Sequence, residues 1–569
     1  MKLSKYLVGT LACALMAACS NEENPAVDNG TQGQEGSSYM AVNLVMSAET
    51  GSRAVTDGGY ENGTEDEGAV KIASSVFLFY DAAGNYLTKG NIVADANNDA
   101  TSDGFLDLNS ESQDKSNELE SKSNAVIVLG PTASQPTQVL AVLNGGNSAL
   151  AGLSLSQAIE QTTQFGLGTD KGSFLMTNSS YISGSNIITA TTIDPATNLK
   201  ETPEEAKADG APVDIYVERV AAKLTVKESV SEKELSGDGY VLDNATGAAM
   251  KVVIDGWCAN ATNESSYYVK NLNDSWIGTA PFTNWTGTHR TFWAEDMNYS
   301  GKGDYQDGPT YTGLQYKKWT EATKKANDVE YIFENTINND DAQVEGGDNT
   351  NVTTVLVAAH IMYKTSGDEK YQRDNIYKHN GVFYTEKGLK DVIVASCDYY
   401  WFYTKDGNKA WTPLKADDVT FSFSNPTSTI NPGEVTVDVT AITKPTIDGV
   451  TDIVLVKGEG TESETDATKA IAALKGSIYT QNLMGYKNGA CYYQIPIEHL
   501  SSAAGNEFYG VVRNHSYVLT ISDITGIGGA VYDPDKVLPP IPGKDKNYYM
   551  AAKLNVLAWK VVEQSAVLN

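Results

Sequence analysis

Apolar and polar residues alternate over much of this chain. Near its start Met40, Val42, Leu44 and Met46 recur at every second position, the period of a strand that buries one face. The same period closes the chain, in AAKLNVLAWKVVEQSAVLN, residues 551–569. There Leu554, Val556 and Ala558 form one row, and Leu557, Trp559 and Val561 the other. Chain ends are usually polar and loose, so an apolar strand running almost to the last residue has a face to bury. Between the two, VKIASSVFLFYDAAGNYLTKG predicts a pair of strands about a turn at Ala83-Gly84-Asn85, and TQVLAVLNGG a buried strand ending in a turn. PVDIYVERVAAKLTVKE reads as one long strand. Val213, Ile215 and Val217 share a face; Val220, Ala222, Leu224 and Val226 continue it after a shift of one, which predicts a bulge near Arg219. SLSQAIEQTTQF, with Leu155, Ile159 and Phe165 on one side, is one of few helix candidates. AMKVVIDGWC, VEYIFENT, TTVLVAAHIMY, DVIVASCDYYWFYT, ACYYQIPIEHL and HSYVLTISDIT read as further strands.

A chain of 569 residues exceeds one ordinary core. The polar, acidic run TIDPATNLKETPEEAKADGAP marks a composition shift, and we place a domain boundary there, near residue 210. No self-similarity at solenoid or propeller periods is visible. The pattern therefore predicts a mainly β protein of two β-sandwich domains, transthyretin-like or Greek-key, with few short helices. The expected spans are 54–210 and 211–540, followed by a spacer and terminal strand over 541–569.

The first residues carry a different signal. Lys2 and Lys5 precede a short apolar stretch, Tyr6 to Met16, and then Ala17, Ala18 and Cys19. Residues 1–18 read as a secretory leader, too short in its apolar part to anchor as a membrane helix. The stretch resembles a bacterial lipobox, which implies a lipid on Cys19 and an outer-membrane precursor; Met16 stands where that pattern prefers Leu. Two or more acyl chains hold a protein on a membrane where one is marginal. Glu22 and Glu23 resemble a Bacteroidetes surface-export signal. The Gly/Ser-rich stretch after Cys19 is a tether, so 19–53 is tether plus first strand. Arg53 is the sole basic residue between Lys5 and Lys71, in the small, polar stretch SAETGSRAVTDGG. An isolated arginine in an exposed loop offers a trypsin-like protease the Arg53–Ala54 bond.

Composition narrows the chemistry. A net charge of −30 disfavours nucleic acid and anionic membrane surfaces. Outside the leader, Cys258, Cys397 and Cys491 are far apart, with no His at ligand spacing, and read as small buried residues. The five histidines fit no HExxH motif, and there is no GxSxG elbow, P-loop or dinucleotide fingerprint. Paired carboxylates abound, but abundance does not place two of them across a cleft. We expect no enzyme and no cofactor beyond the lipid. Asp95 to Asp107 has oxygen ligands at alternate positions but lacks the glycine and glutamate of a calcium loop. It reads as a solvated loop open to adventitious calcium. Trp276, Trp285 and Trp293 lie close in sequence, and aromatic faces of this kind stack on sugars. They give the alternative reading, a surface glycan-binding lipoprotein or fimbrial tip adhesin.

Together, the lipobox, the lone arginine behind a first strand and the apolar last strand resemble a fimbrillin, a shaft subunit of Bacteroidetes type V pili, of the minor-fimbria type. GVVRNHSYVLTISDITGIG (Gly510 to Gly528), a Pro-rich stretch and LNVLAWKVVEQ (Leu554 to Gln564) carry the resemblance, with VERVAAKLTV, TFWAED, YIFENT, NGVFYTEKGL and YYQIPIEHL. Ala558 replaces the proline usual before the tryptophan, which leaves a backbone N–H for pairing. The resemblance implies a surface pilin that lacks enzymatic activity. It also implies that a trypsin-like protease removes Met40, Val42, Leu44 and Met46 with the first strand. By the same resemblance, Leu554, Val556, Leu557, Trp559 and Val561 of the next identical subunit are expected to fill the groove, with anchor and tip subunits as further partners in the filament.

Overall fold

The computed structural model describes residues 37–47, 74–92, 120–145, 150–164, 174–208, 212–236, 240, 242, 249–273, 288–291, 293–297, 299, 313–336, 351–365, 367–429, 431–500, 508–540, 551–558 and 560–566. It is mainly β with a few short helices, as the alternation predicts.

The first unit is an eight-stranded sheet, in which the two-residue strand Thr191–Thr192 flanks β5 and the other seven strands are β1 (Ser38–Ser47), β2 (Ser75–Tyr80), β3 (Tyr86–Ile92), β4 (Glu120–Leu129), β5 (Gln138–Leu143), β6 (Met176–Asn178) and β7 (Val213–Arg219). They run in the order β5-β2-β3-β4-β1-β7-β6, and β6 pairs back to β5, so the sheet closes on itself. Its interior holds Met40, Leu44, Phe77, Phe79, Ile127 and Ile215. The apolar runs of β2 and β5 are buried on both faces, so they read as continuous rather than alternating. Their outer residues Val76, Leu78, Tyr80, Leu140 and Val142 form a second layer with Tyr268, Val269 and Phe333 from farther along the chain. The β2–β3 turn falls where the sequence predicts. Asp81 accepts from the Ala83 and Asn85 amides at 2.9 Å, and Gly84 takes a φ of +79° that suits its missing Cβ. The predicted helix is shorter than its pattern. Helix α1 (Leu155–Ile159) starts on a capping box between Ser154 and Gln157. It ends early because Thr162 and Thr163, β-branched, pair with Tyr267 and Ser266. Phe165 lies outside the described residues.

The expected boundary near residue 210 is corrected by the topology. β7 belongs to the closed sheet, and the chain crosses at Val220 into β8 (Ala221–Glu228), a strand of a different sheet. The one-residue shift in the apolar pattern is therefore a change of sheet and not a bulge. Val220 is buried at the crossing and its amide bonds the Leu175 carbonyl at 2.9 Å. The acidic run before residue 210 covers the first unit instead of ending it. Its helix α2 (Pro203–Ala208) packs Ala206 against Tyr39 of β1 and Val126 of β4.

The second unit is a sandwich. Its further strands are β9 (Glu232–Leu235), β10 (Ala249–Asn260), β11 (Val329–Phe333), β12 (Thr354–Lys364), β13 (Ala490–Pro496), β14 (His515–Asp523), β15 (Gly529–Ala530), β16 (Ala551–Ala558) and β17 (Lys560–Ala566). One sheet runs β11-β8-β14-β16-β17, the other β9-β10-β12-β13-β15. Leu224, Tyr517 and Leu519 from the first meet Val252, Val357 and Tyr493 from the second. β10 changes register at Gly256, where a Cβ would stand 2.6 Å from the Ala322 carbonyl oxygen.

Between β12 and β13 the chain builds a further cluster, which the sequence reading merged into one 211–540 span. Tyr377, Leu389, Ile393, Trp401, Leu455 and Leu474 pack around helices α3 (Glu386–Ala395) and α4 (Ala467–Lys475). The segment DVIVASCDYYWFYT is thus half helix, not strand. Thr385 caps α3 by accepting from the Gly388 amide at 3.0 Å, and Leu389 and Ile393 fall on one face.

The tail also differs from its expectation. In place of one strand without a partner in its own body, β16 and β17 pair with each other and with β14. An uncovered strand edge is a template for any nearby extended segment, and here the chain's own tail takes that place. Trp559, between the two strands, lies outside the described residues.

Candidate assembly interface

β1 is held from both sides. It pairs antiparallel with β4 from Ser38↔Leu129 to Ser47↔Glu120, and parallel with β7 from Val42↔Val213 to Met46↔Val217. Alternation turns Met40, Val42 and Leu44 inward, where they are 0%, 1% and 0% exposed. Val42 stands between Ala125 and Val213, and Leu44 between Ser123 and Ile215. Met46 pairs by its backbone with Ser121 and Val217, and its side chain lies outside the described residues. On the outer face Tyr39 packs on Val126 and Ala206. Asn43 donates to the Asp214 carboxylate at 2.6 Å. Where the strand enters, Tyr39 and Lys200 exchange two backbone hydrogen bonds of 2.8 Å.

Burying each of three large inward side chains contributes roughly 1.5–3 kcal/mol. Without β1 the barrel would lose that ridge, and β4 and β7 would each present unpaired backbone groups along an apolar slot. A slot of this kind accepts an extended segment: main-chain bonds supply affinity and alternate side chains supply register.

Cys19, Arg53 and Ala54 lie outside the described residues. Arg53 falls in the connection between Ser47 of β1 and Ser75 of β2. Of the tail residues, Leu554, Val556 and Leu557 are on β16 and Val561 on β17.

The sequence reading missed a set of buried charges that ties this barrel to the sandwich. Glu218 on β7 pairs with Lys270 at 2.9 Å, with side chains 2% and 1% exposed. Lys270 also donates to the Thr291 carbonyl at 2.7 Å. Beside them Arg513 and Glu334 form an ion pair with both side chains fully buried. Arg513 donates further to the carbonyls of Tyr267 (2.9 Å) and Tyr268 (3.2 Å) and to the Ser266 hydroxyl (3.1 Å). Burial opposes charge on this guanidinium, but Glu334 and then Glu218 outweigh it and hold its pKa above the ordinary value. Next to it, Asn514 accepts from the Arg219 amide at 3.3 Å and donates its own amide to the Ala221 carbonyl at 2.9 Å. A Glu and an Arg inside otherwise apolar strand runs, VERVAAKLTV and GVVRNHSYV, were the available signal.

Other candidates lose their chemistry. Trp293 is 2% exposed and offers no face to a sugar; Trp276 and Trp285 lie outside the described residues. Cys258 and Cys491 are buried, Cys397 is half-buried, and none is paired. Burial first, then Glu330, pushes the Cys258 thiol up; burial first, then Asp255, does so at Cys491. Thiols raised in this way are poor nucleophiles. The stretch Asp95–Asp107 lies outside the described residues.

Residues 484–565 match the family described as Major fimbrial subunit protein type IV, Fimbrillin, C-terminal. The C-terminal region is similar to that family's model. The match runs from the last strand before β13 through β14 and on to the tail. No curated protein matches the chain. Among solved structures, one from Parabacteroides distasonis described as a cell adhesion protein aligns at 11% identity and a TM-score of 0.34, over 94% of this chain and 100% of that one. The tip fimbrial protein Mfa3 from Porphyromonas gingivalis aligns at 10% identity and 0.28, over 92% and 100%. A fimbrial assembly protein from Parabacteroides distasonis aligns at 12% and 0.27, over 71% and 100%. At such scores these likenesses add no argument, and the similarity to fimbrillins rests on the C-terminal match.

Proposed function

We propose that this chain is a structural, non-catalytic subunit of a surface fimbria that supports cell adhesion. It reaches the surface as a lipoprotein lipidated at Cys19 and polymerises by strand exchange once a trypsin-like protease cuts between Arg53 and Ala54. The observation that carries the reading is the place of β1. It fills the centre of the barrel wall, yet its only covalent link to β2 runs through the segment that holds Arg53.

The order of events follows from competition. While β1 is tethered, it occupies the slot at an effective concentration on the order of millimolar, which a neighbour's tail does not match. Cutting at Arg53 ends that advantage. The tail of the next subunit, around Leu554, Val556, Leu557, Trp559 and Val561, then takes the slot between β4 and β7. Donor and slot are different surfaces, so the contact is head-to-tail and extends as a filament. In the free subunit the tail folds back on β14, with β16 paired to β14 and to β17, and exchange moves it from its own sheet into a neighbour's slot. Identical subunits are the main partners, with an anchor and a tip subunit at the ends.

The test is limited trypsin treatment of purified precursor, followed by unheated SDS gels. Clean cleavage after Arg53 should give a ladder of multimers. Subunits that are cut there and stay monomeric would overturn the reading.

A further inference from the structure

The head strand and the tail carry the same short text. Tyr39-Met40-Ala41-Val42-Asn43-Leu44-Val45-Met46 aligns without gaps on Tyr549-Met550-Ala551-Ala552-Lys553-Leu554-Asn555-Val556, with Tyr, Met, Ala and Leu shared in place. We propose that the tail enters a neighbour's slot in this one register, so that Leu554 takes the site of Leu44 and Lys553 lies opposite Asp214. The proposal rests on the strand-exchange reading and specifies its geometry.

Three features of the slot select the register. The inward sites of Met40 and Leu44 are fully buried, and close-packed sites accept the same side chain best; the alignment supplies Met550 and Leu554. At Val42 the tail offers Ala552, smaller and therefore free of overlap with Ala125 and Val213. The outer pocket of Tyr39, between Val126 and Ala206, receives Tyr549.

Charge decides between the remaining slides. Asp214 is exposed and its carboxylate accepts from Asn43. The tail puts Lys553 at that position and replaces an amide by an ammonium, a stronger donor to a carboxylate. A slide of one residue would turn Leu554 and Val556 to the outer face. A slide of two would bring Lys553 to the place of Ala41 or Val45, beside Val126 or Tyr216, away from Asp214. In the proposed register Trp559 and Val561 fall past Ser47, beyond the end of β1, so they bind outside the footprint of the strand they follow.

Cysteine cross-linking reads the register directly. The full chain without its leader, cut at a site-specific protease sequence placed at Arg53, is assembled with Lys553→Cys and either Asn124→Cys or Lys122→Cys. Asn124 is the β4 partner of Asn43, and Lys122 that of Val45. A short thiol cross-linker should join neighbouring subunits at least about tenfold more with Asn124→Cys, because facing strand positions lie within about 5.5 Å and the next pair along is farther. In a second arm Asp214→Lys should slow assembly about threefold, the scale of one exposed ion pair, and adding Lys553→Asp should restore it. A ladder that cross-links through Lys122→Cys, or through neither position, overturns the register and leaves strand exchange standing. Absence of any ladder in cysteine-free controls overturns both.

Discussion

On the proposed strand exchange, Leu44 belongs to the subunit only until assembly, which would give it a signature no ordinary core residue has. It is fully buried in the barrel, so Leu44→Ala should destabilise the uncut precursor by roughly 2–5 kcal/mol. On the proposed mechanism the polymer no longer contains it. Thermal melts of precursor and assembled fibre should therefore diverge, with the precursor melting lower than wild type and the fibre unchanged. A fibre that melts lower by the same amount would mean that Leu44 is still inside. Arg513 and Glu334 behave in the opposite way, since they persist in both states. Replacing Glu334 by Gln leaves the buried guanidinium without its countercharge, which costs about 3–5 kcal/mol. Denaturant midpoints of precursor and polymer should fall together. Both residues were poorly legible in advance. The alternation flagged Leu44 as inward, but no one-dimensional pattern says which residues lie on either side of it, or that an arginine in an apolar run finds a glutamate 179 residues away.

Elements were legible where local chemistry is self-sufficient. β2, β3 and their turn follow from apolar runs around Asp81 and Gly84, because the turn is closed by its own side chain. The crossing at Val220 was misread, since a strand that changes sheet and a strand with a bulge both shift the apolar row by one. α3 was misread because Val392, Ile393 and Val394 favour strands locally, and only the Thr385 cap and the packing of Leu389 and Ile393 make the helix win. The tail was misread because its partner, the β14 edge, is supplied by tertiary structure. Deleting residues 551–569 tests that element. The closed sheet and the β9-β10-β12-β13-β15 sheet contain no tail strand, so circular dichroism should keep its β signature, while ladder formation is abolished. Fibres of normal length from this deletion would reject a donor role for the tail.

At the scale of the whole molecule, the buried pairs Glu218–Lys270 and Arg513–Glu334 sit where the barrel meets the sandwich. The slot beside β7 is thereby fixed relative to the sheet that carries the tail. On the proposed head-to-tail exchange, a slot held rigidly on the sandwich would let each added subunit repeat the same rotation, which is what a regular filament needs. The central claim is that a subunit in a fibre has lost its first strand and holds its neighbour's last one. The most direct measurement is intact mass and N-terminal sequencing of subunits recovered from SDS-resistant fibres formed after cleavage, washed free of released peptide. The account predicts Ala54 as first residue, no peptide from 38–47, and an intact tail through Val561. Fibres whose subunits still hold residues 38–47, covalently or bound, would contradict it.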